Sequence, residues 1–169
     1  MTSNADTKAT IRGAVIQDAP QILALYSGLD AGNRNLKDIE KRLRKKNLVT
    51  FVAIVNNKIV GFLLIELNKE HFQIVELYVS PDFQRRRVGA ALITHTIEQL
   101  APTRRRRILA VVNENNLTMH LFLRFCKFRC VDIARNHFNS YDAYRFEYRT
   151  QWPEKMLSKD KKGYYAPVK

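Results

Sequence analysis

The sequence lacks the features that mark several classes of protein. Its only two cysteines, Cys126 and Cys130, are four residues apart, which fits neither a redox C-x-x-C pair nor a metal-binding cluster. No apolar run approaches the roughly 20 residues that span a bilayer. Residues 1–10 are polar and lack the apolar segment of a secretory signal. We therefore expect a cytoplasmic protein with no metal site and no membrane association.

Acidic residues are also scarce. The 169-residue chain has 16 acidic and 29 basic residues, which gives a formal charge of +13. Such an excess favours anionic partners, among them a phosphorylated cofactor, nucleic acid or a ribosomal surface. The run Arg104–Arg107 and the basic face of residues 36–46 fit either a solvated surface or contact with RNA, and charge alone does not choose between these roles.

What the chain does have is a regular alternation of strand and helix patterns. Apolar residues recur with period 2 in the strands and at helical spacing in the helices, and Asn56-Asn57 makes a good hairpin turn. The predicted order is β-α-α-β-β-β-α-β-α-β-β, an α/β fold with a mixed sheet. Strands are predicted at 10–15, 49–55, 58–67, 71–79, 108–112, 128–134 and 142–149, and helices at 18–29, 36–46, 88–100 and 116–126.

The length fits one domain with a sizeable core. We predict a flexible N-terminus over 1–9, a single domain over 10–150 and a basic, poorly ordered tail over 151–169.

The most informative stretch is 75–90. It is predicted to be a buried strand, a short Pro-Asp turn, three consecutive arginines and the first turn of an amphipathic helix. Free backbone N–H groups and the positive end of a helix dipole meet at such a junction, with guanidinium groups around them. The pattern predicts an anion site.

This stretch and three other motifs resemble the GNAT superfamily of N-acyltransferases. They are V-S-P-D-F-Q-R-R at 79–86, E-N-N-L at 114–117, R-N-H-F at 135–138 and D-A-Y at 142–144. Within the superfamily the chain is most similar to bacterial ribosomal-protein-alanine N-acetyltransferases. The resemblance implies a GNAT-like fold, acetyl-CoA as co-substrate, and direct acetyl transfer to an amine in a ternary complex. A protein N-terminus is the acceptor it suggests.

The resemblance also implies which residues bind the cofactor. Backbone groups of one strand would bind the pantetheine arm, the basic loop would bind the pyrophosphate, and two residues near the 116–126 helix would line the other wall. These are, in order, Leu77, Tyr78 and Val79; Gln84, Arg85, Arg86, Arg87, Val88, Gly89 and Ala90; and Asn116 and Phe122. Arg87 departs from the family, which has glycine there. Either its side chain replaces lost backbone contacts or it weakens the site.

Catalytic residues are harder to assign. The glutamate and tyrosine that similar enzymes use as base and acid correspond here to Val111 and Leu123. Glu76 shares a strand face with apolar residues, where desolvation would favour a general base. Pairing of Glu76 with one of the many cations is the equally open alternative. Three hypotheses therefore stand. The first is an N-acetyltransferase, and the second is a catalytically weak or inactive GNAT-fold protein that binds CoA or a ribonucleoprotein. The third is a nucleic-acid-binding module, which the charge supports although the sequence has no recognisable RNA- or DNA-binding motif.

Overall fold

The computed structural model describes residues 8–26 and 34–151. The predicted ends of the chain, 1–9 and 151–169, fall almost entirely outside these residues. The described chain divides into two compact units. One strand, His71–Val79, contributes residues to both units. The first unit is Met1–Asn68 with Ile74–Gln99, and the second is Lys69–Gln73 with Leu100–Lys169.

The described part of the first unit contains three helices and four strands. Short 3-10 turns at Ile16–Asp18 and Pro81–Phe83 precede two of the helices. The elements are β1 Thr10–Gly13, α1 Ala19–Tyr26, α2 Leu36–Arg44, β2 Leu48–Val55, β3 Lys58–Leu67, β4 His71–Val79 and α3 Val88–Glu98.

These strands lie in the order β1-β2-β3-β4. β1 pairs antiparallel with β2, and β2 with β3. The β2–β3 turn is formed by Asn56 and Asn57 with φ of 48° and 62°, as the sequence predicts, because asparagine tolerates the left-handed region. β3 is the most buried strand, with seven consecutive buried residues. Side chains of α1 and α2 pack with those of β2 and β3 in one core cluster that includes Ile22, Ile39 and Phe62.

The second unit is built on a strand order of β4-β5-β7-β6, in which only the first residues of β4 take part. Both β5 and β6 pair antiparallel with β7, which lies between them. The further elements of this unit are β5 Arg107–Asn113, α4 Leu117–Phe125, β6 Arg129–Phe138 and β7 Tyr141–Arg149.

The order of helices and strands is the predicted one, and the fold class is confirmed as mixed α/β. Two local predictions are wrong. β6 runs through Phe138 instead of ending at Ala134, because an irregularity in its pairing with β7, where Asn136 has a φ of 52°, interrupts the strand pattern without ending the strand. The wholly apolar run 108–112 is typical of a strand that is covered on both faces, but burial alternates along β5 and Val111 is 36% exposed. None of the described helices is long and apolar enough to cross a membrane.

Candidate functional site

The connection from β4 to α3 has the backbone of an anion-binding loop. Arg85 and Arg87 have positive φ values, 58° and 62°, whereas Arg86 between them does not. Alternation between right- and left-handed residues turns successive N–H groups toward one side, an arrangement known as a nest that binds anions. All three arginines are exposed at this point. The loop therefore combines a backbone suited to anions with three exposed arginine side chains.

Helix α3 adds its N-terminus to the same segment. Arg87 is the residue before the helix, with φ 62° and ψ 8°, and its side chain makes no capping hydrogen bond within the described chain. The first four N–H groups of an α-helix have no partner inside the helix, and the helix dipole is positive there. Val88 is buried, and Gly89 and Ala90 keep the first turn small. This start of α3 suits a phosphate group.

The left-handed backbone gives the physical reason for glycine at position 87 in similar proteins. Glycine adopts positive φ without a steric penalty, whereas a residue with a Cβ is destabilised there by roughly 1 kcal/mol. Arg87 keeps the left-handed conformation nonetheless. Arginine at position 87 therefore preserves the loop geometry but lowers the stability of the folded protein.

β4 approaches β3 very closely beside the predicted pantetheine strand. A Cβ built on Gly61 of β3 would lie 2.7 Å from the Tyr78 carbonyl oxygen and 3.2 Å from a methyl group of Val79. The Ser80 N–H donates to the Val60 carbonyl at 2.8 Å, and the Gln84 side chain donates to the Val79 carbonyl at 3.0 Å. Gln84 thus braces the loop against β4, a role that the sequence did not indicate. Leu77, Tyr78 and Val79 are all partly exposed.

Glu76 lies one residue before this segment and is paired with cations, which is one of the two alternatives that the sequence left open. Its carboxylate accepts hydrogen bonds from the Tyr26 hydroxyl, from Arg34 Nη2 at 2.7 Å, and from Arg42 Nη1 at 3.1 Å to each oxygen. We call Tyr26, Arg34, Arg42 and Glu76 the Glu76 cluster. The last residue of α1, one residue of α2 and the residue before the cap of α2 bring these three donors to β4, so the carboxylate is not left unpaired among its apolar neighbours. Its role as a base stays a prediction.

The cluster also fixes the state of its tyrosine. Burial and the hydrogen bond to the Glu76 carboxylate both raise the pKa of Tyr26 well above its ordinary value. Tyr26 therefore stays protonated at physiological pH and acts as a donor to Glu76, not as a proton acceptor. Sequence reasoning missed Tyr26, Arg34 and Arg42, because a tyrosine on an apolar helix stripe and two arginines among 29 cations carry no distinguishing signal.

The second unit carries the remaining predicted positions. Asn116 caps α4, its side-chain oxygen accepting the Met119 N–H at 3.1 Å, and Phe122 is half-buried. Leu123, which stands where similar enzymes have a tyrosine, is 1% exposed. The contact of Asn116 and Phe122 with the cofactor stays a prediction.

The position of Glu114 in the polar run 113–116 favours a cap of α4, but Glu114 does not cap that helix. Its carboxylate accepts the Asp142 N–H at 3.0 Å instead, and so joins the end of β5 to the start of β7. The α4 cap is already provided by Asn116. No group of histidine, cysteine and acidic side chains suited to a metal occurs in the described ranges.

Comparison with known proteins decides the family. Residues 17–128, which include the loop and the Glu76 cluster, match the model of the acetyltransferase (GNAT) family. The chain belongs to this family. No curated protein matches the sequence.

Solved GNAT structures share the fold at low sequence identity. The ribosomal-protein-S18-alanine N-acetyltransferase from Escherichia coli is 19% identical, with a TM-score of 0.73 over 86% of this chain and 96% of that one. Arabidopsis thaliana NAA60 in complex with acetyl-CoA is 14% identical, with a TM-score of 0.73 over 84% and 99%. The same protein with a bisubstrate analogue is 15% identical, with a TM-score of 0.71 over 84% and 98%.

Because the chain belongs to the GNAT family, the loop Gln84–Arg87, which we call the anion loop, can be compared with the pyrophosphate of an acyl-CoA. Pyrophosphate has diffuse negative charge, for which oriented N–H donors and planar guanidinium groups are suited. The exposed Arg85–Arg87 segment at the start of α3 supplies both kinds of donor. The residues present therefore fit the diphosphate of an acyl-CoA.

Proposed function

We propose that this protein is an acetyl-CoA-dependent N-acetyltransferase that transfers acetyl directly to an amine in a ternary complex. The observation that carries the proposal is the left-handed geometry of Arg85 and Arg87 at the start of α3, in a chain of the GNAT family. A basic surface turn without this geometry would bind anions only loosely, whereas a nest at a helix N-terminus orients several N–H groups toward one ligand.

The proposed cofactor contacts follow the described elements. The loop and the first turn of α3, Gln84 to Ala90, hold the diphosphate, and backbone groups of Leu77 and Tyr78 hydrogen-bond to the pantetheine arm. The Val79 carbonyl already accepts the Gln84 amide, so Gln84 contributes by holding the loop in shape. Asn116 and Phe122, which belong to the second unit, are proposed as cofactor contacts on the resemblance alone.

The chemistry needs a neutral amine and a stabilised oxyanion. A base removes one proton from the acceptor ammonium, and the amine nitrogen then bonds to the thioester carbonyl carbon. The carbon–sulfur bond breaks, CoA leaves as a thiolate that takes a proton from water, and the nitrogen loses its second proton to solvent. Backbone N–H groups of β4 are suited to the oxyanion. Glu76 is the proposed base, because it is the carboxylate that β4 presents beside Leu77.

The acceptor is proposed by similarity. The Escherichia coli structure is that of an enzyme for the alanine N-terminus of a ribosomal protein, which favours a protein N-terminal amine here as well. The charge of +13 would also suit a ribosomal or other anionic surface around that acceptor. The cytoplasmic location stays a prediction.

A second candidate function has an observation of its own. Val111 and Leu123 leave the positions of the usual base and acid without an ionisable group, and Leu123 is fully buried. A GNAT-fold protein that binds CoA without turnover would have no need of either group.

Calorimetry with acetyl-CoA and release of CoA thiol over a panel of amines separate the two functions. The enzyme binds acetyl-CoA, releases thiol only with an acceptor, and loses at least about 100-fold in turnover in the Glu76→Gln variant while keeping its affinity for acetyl-CoA. Binding without release for any amine would favour the second candidate. Absence of binding at millimolar acetyl-CoA would contradict both.

A further inference from the structure

The Glu76 cluster has more positive than negative charge. Two guanidinium groups face one carboxylate, and the side chains of Arg34, Arg42 and Glu76 are 23%, 30% and 22% exposed. The cluster is thus enclosed enough to strengthen ion pairs and open enough for a small ligand to reach it. One positive charge in the cluster has no negative partner within it.

The two arginines are bound to Glu76 in different ways. Arg42 Nη1 lies 3.1 Å from both carboxylate oxygens, whereas Arg34 contacts only Oε1, through Nη2. Arg34 Nε is buried and has no hydrogen-bond partner in the described part of the chain. A buried donor without an acceptor is unfavourable, and such a group in a folded protein calls for a missing partner.

The Arg34 guanidinium lies over an aromatic ring. Its central carbon lies 4.7 Å from the centre of the Tyr26 ring, within the range of a cation–π contact. Tyr26 also donates its hydroxyl hydrogen to Glu76. Arg34 is therefore the arginine that is both pre-oriented and incompletely used, which is the condition of a residue that recognises a planar carboxylate.

We propose that Arg34 binds a carboxylate of the acceptor, so that the preferred acceptor is an amine with a carboxylate a few bonds away. The proposal rests on the proposed function and names its substrate class. The acceptor carboxylate replaces Glu76 as the partner of Arg34, and the acceptor ammonium replaces Arg34 as a partner of Glu76. One ion pair within the protein becomes two between protein and ligand, while Arg42 and Tyr26 keep Glu76 in position.

The exchange also prepares the reaction. Once Arg34 has turned to the ligand, one oxygen of Glu76 loses a guanidinium donor and faces an ammonium group. That oxygen accepts one ammonium proton, and the amine nitrogen then bonds to the acetyl carbon as the carbon–sulfur bond breaks. An acceptor without a carboxylate leaves Arg34 on Glu76 and gains neither ion pair.

Matched acceptors test the proposal and distinguish two sources of the carboxylate. One arm compares a peptide that begins Asp-Ala with one that begins Asn-Ala, both amidated at the C-terminus. The other compares a free amino acid with its amide. The pair that contains the natural type of acceptor should show the preference. For that pair we expect kcat/KM to be about 10- to 100-fold higher with the carboxylate acceptor, mostly through a lower KM, because a charge-assisted hydrogen bond has an energy of this size.

Arg34→Gln is the diagnostic variant, and Arg44→Gln is its control. Arg44 is 69% exposed and pairs with Glu40, not with Glu76. The preference should fall to about one in Arg34→Gln and persist in Arg44→Gln, with thermal unfolding used to show that both variants fold. Equal use of charged and neutral acceptors by the wild type, or a preference that survives Arg34→Gln, would overturn the proposal.

Calorimetry of the same acceptors in the presence of CoA separates this proposal from the proposed function. If no acceptor is acetylated but carboxylate acceptors bind and Arg34→Gln abolishes that binding, the subsite stands and the enzymatic function does not. If neither carboxylate acceptor binds in either assay, the subsite is wrong.

Discussion

At Arg87 a long side chain occupies a backbone conformation that favours glycine. The φ of 62° is the same feature that turns the N–H groups of the loop toward one side. The sequence alone identified the residue as a departure from the family, but it could not say whether the loop geometry survives. The structure answers that part of the question, and the effect on binding can be measured.

We predict that Arg87→Gly stabilises the protein and preserves acetyl-CoA binding. Relief of the left-handed strain outweighs the extra chain entropy of glycine, so the free energy of unfolding should rise by about 0.5 kcal/mol in urea denaturation. Affinity by calorimetry should stay within about threefold or become tighter, because the backbone donors remain.

Arg86→Gly is the matched control, because Arg86 does not have a positive φ and its guanidinium contacts the Phe83 ring. This variant should lose stability instead of gaining it. A loss of acetyl-CoA affinity greater than about tenfold in Arg87→Gly alone would show that the Arg87 guanidinium itself binds phosphate.

The hydrogen-bond partners of Glu76 could not be predicted from the sequence around it. Its position on the strand and its candidacy as a paired carboxylate were both visible in the sequence. Its partners lie 50, 42 and 34 residues away along the chain, and nothing local distinguishes Arg34 and Arg42 from the other cations. Only the packing of α1 and α2 against the sheet of the first unit brings these residues to Glu76.

At the scale of elements, the close approach of β3 and β4 depends on one glycine. We predict that Gly61→Ala destabilises the protein by about 1–3 kcal/mol, because the added methyl group would overlap the Tyr78 backbone, which cannot rotate away. Acetyl-CoA affinity should fall as well, since the displaced segment is the proposed pantetheine strand. Urea denaturation and calorimetry measure the two effects.

Gly13→Ala on β1 is the control, because a Cβ there has no neighbour within 4 Å. Stability and affinity should both stay close to those of the wild type. Equal losses in the two variants would show that the contact with β4 is not responsible for the effect.

The junction of β1 and α1 depends on pH through Asp18. Arg12 donates to both carboxylate oxygens at 2.6 and 2.8 Å, and the Val15 N–H donates at 2.8 Å. These hydrogen bonds, chiefly those from Arg12, hold the pKa of Asp18 below its ordinary value. A carboxylate with a lowered pKa in the folded state stabilises the fold above its unfolded pKa, and this contribution is lost as pH falls through the folded pKa.

We predict that Arg12→Gln lowers the free energy of unfolding by about 1 kcal/mol near pH 7, a modest value because Arg12 is partly exposed to water. The difference from the wild type should shrink as pH falls below the ordinary pKa of an aspartate, and it should be lost as pH falls through the lowered pKa of folded Asp18, below which the carboxyl group is protonated in both proteins. Denaturation at a series of pH values measures it. A difference that is constant with pH would assign the effect to packing of the Arg12 side chain.

The elements themselves were largely predictable, and the exceptions have physical causes. β3, β4 and the turn at Asn56 were predicted with their bounds, because alternating and continuous apolar patterns end there at turn residues. β6 was not, since a local irregularity in pairing interrupts its period-2 pattern. The exposed position of Val111 on β5 was equally invisible, because an apolar residue does not reveal whether its face is covered.

At the scale of the whole molecule, charge remains the property with the widest range of interpretations. The excess of 13 positive charges suits acetyl-CoA, an anionic acceptor or a ribosomal surface. Within the described residues, the anion loop and the Glu76 cluster account for five arginines only. The remainder can still act on an approaching anion through the long-range field of the protein.

We predict that this field speeds the association of acetyl-CoA and that salt removes the effect. Raising NaCl from about 0.05 to about 0.5 M shortens the screening length from roughly 14 to roughly 4 Å, so the association rate constant in stopped-flow measurements should fall by about tenfold. S-acetylpantetheine, which has no phosphate, is the matched ligand, and its association rate should change little. If the association rates of both ligands fall equally, salt acts on the protein itself and not on the attraction between the protein and phosphate. The positive charge of the chain would then be assigned to a partner other than the cofactor.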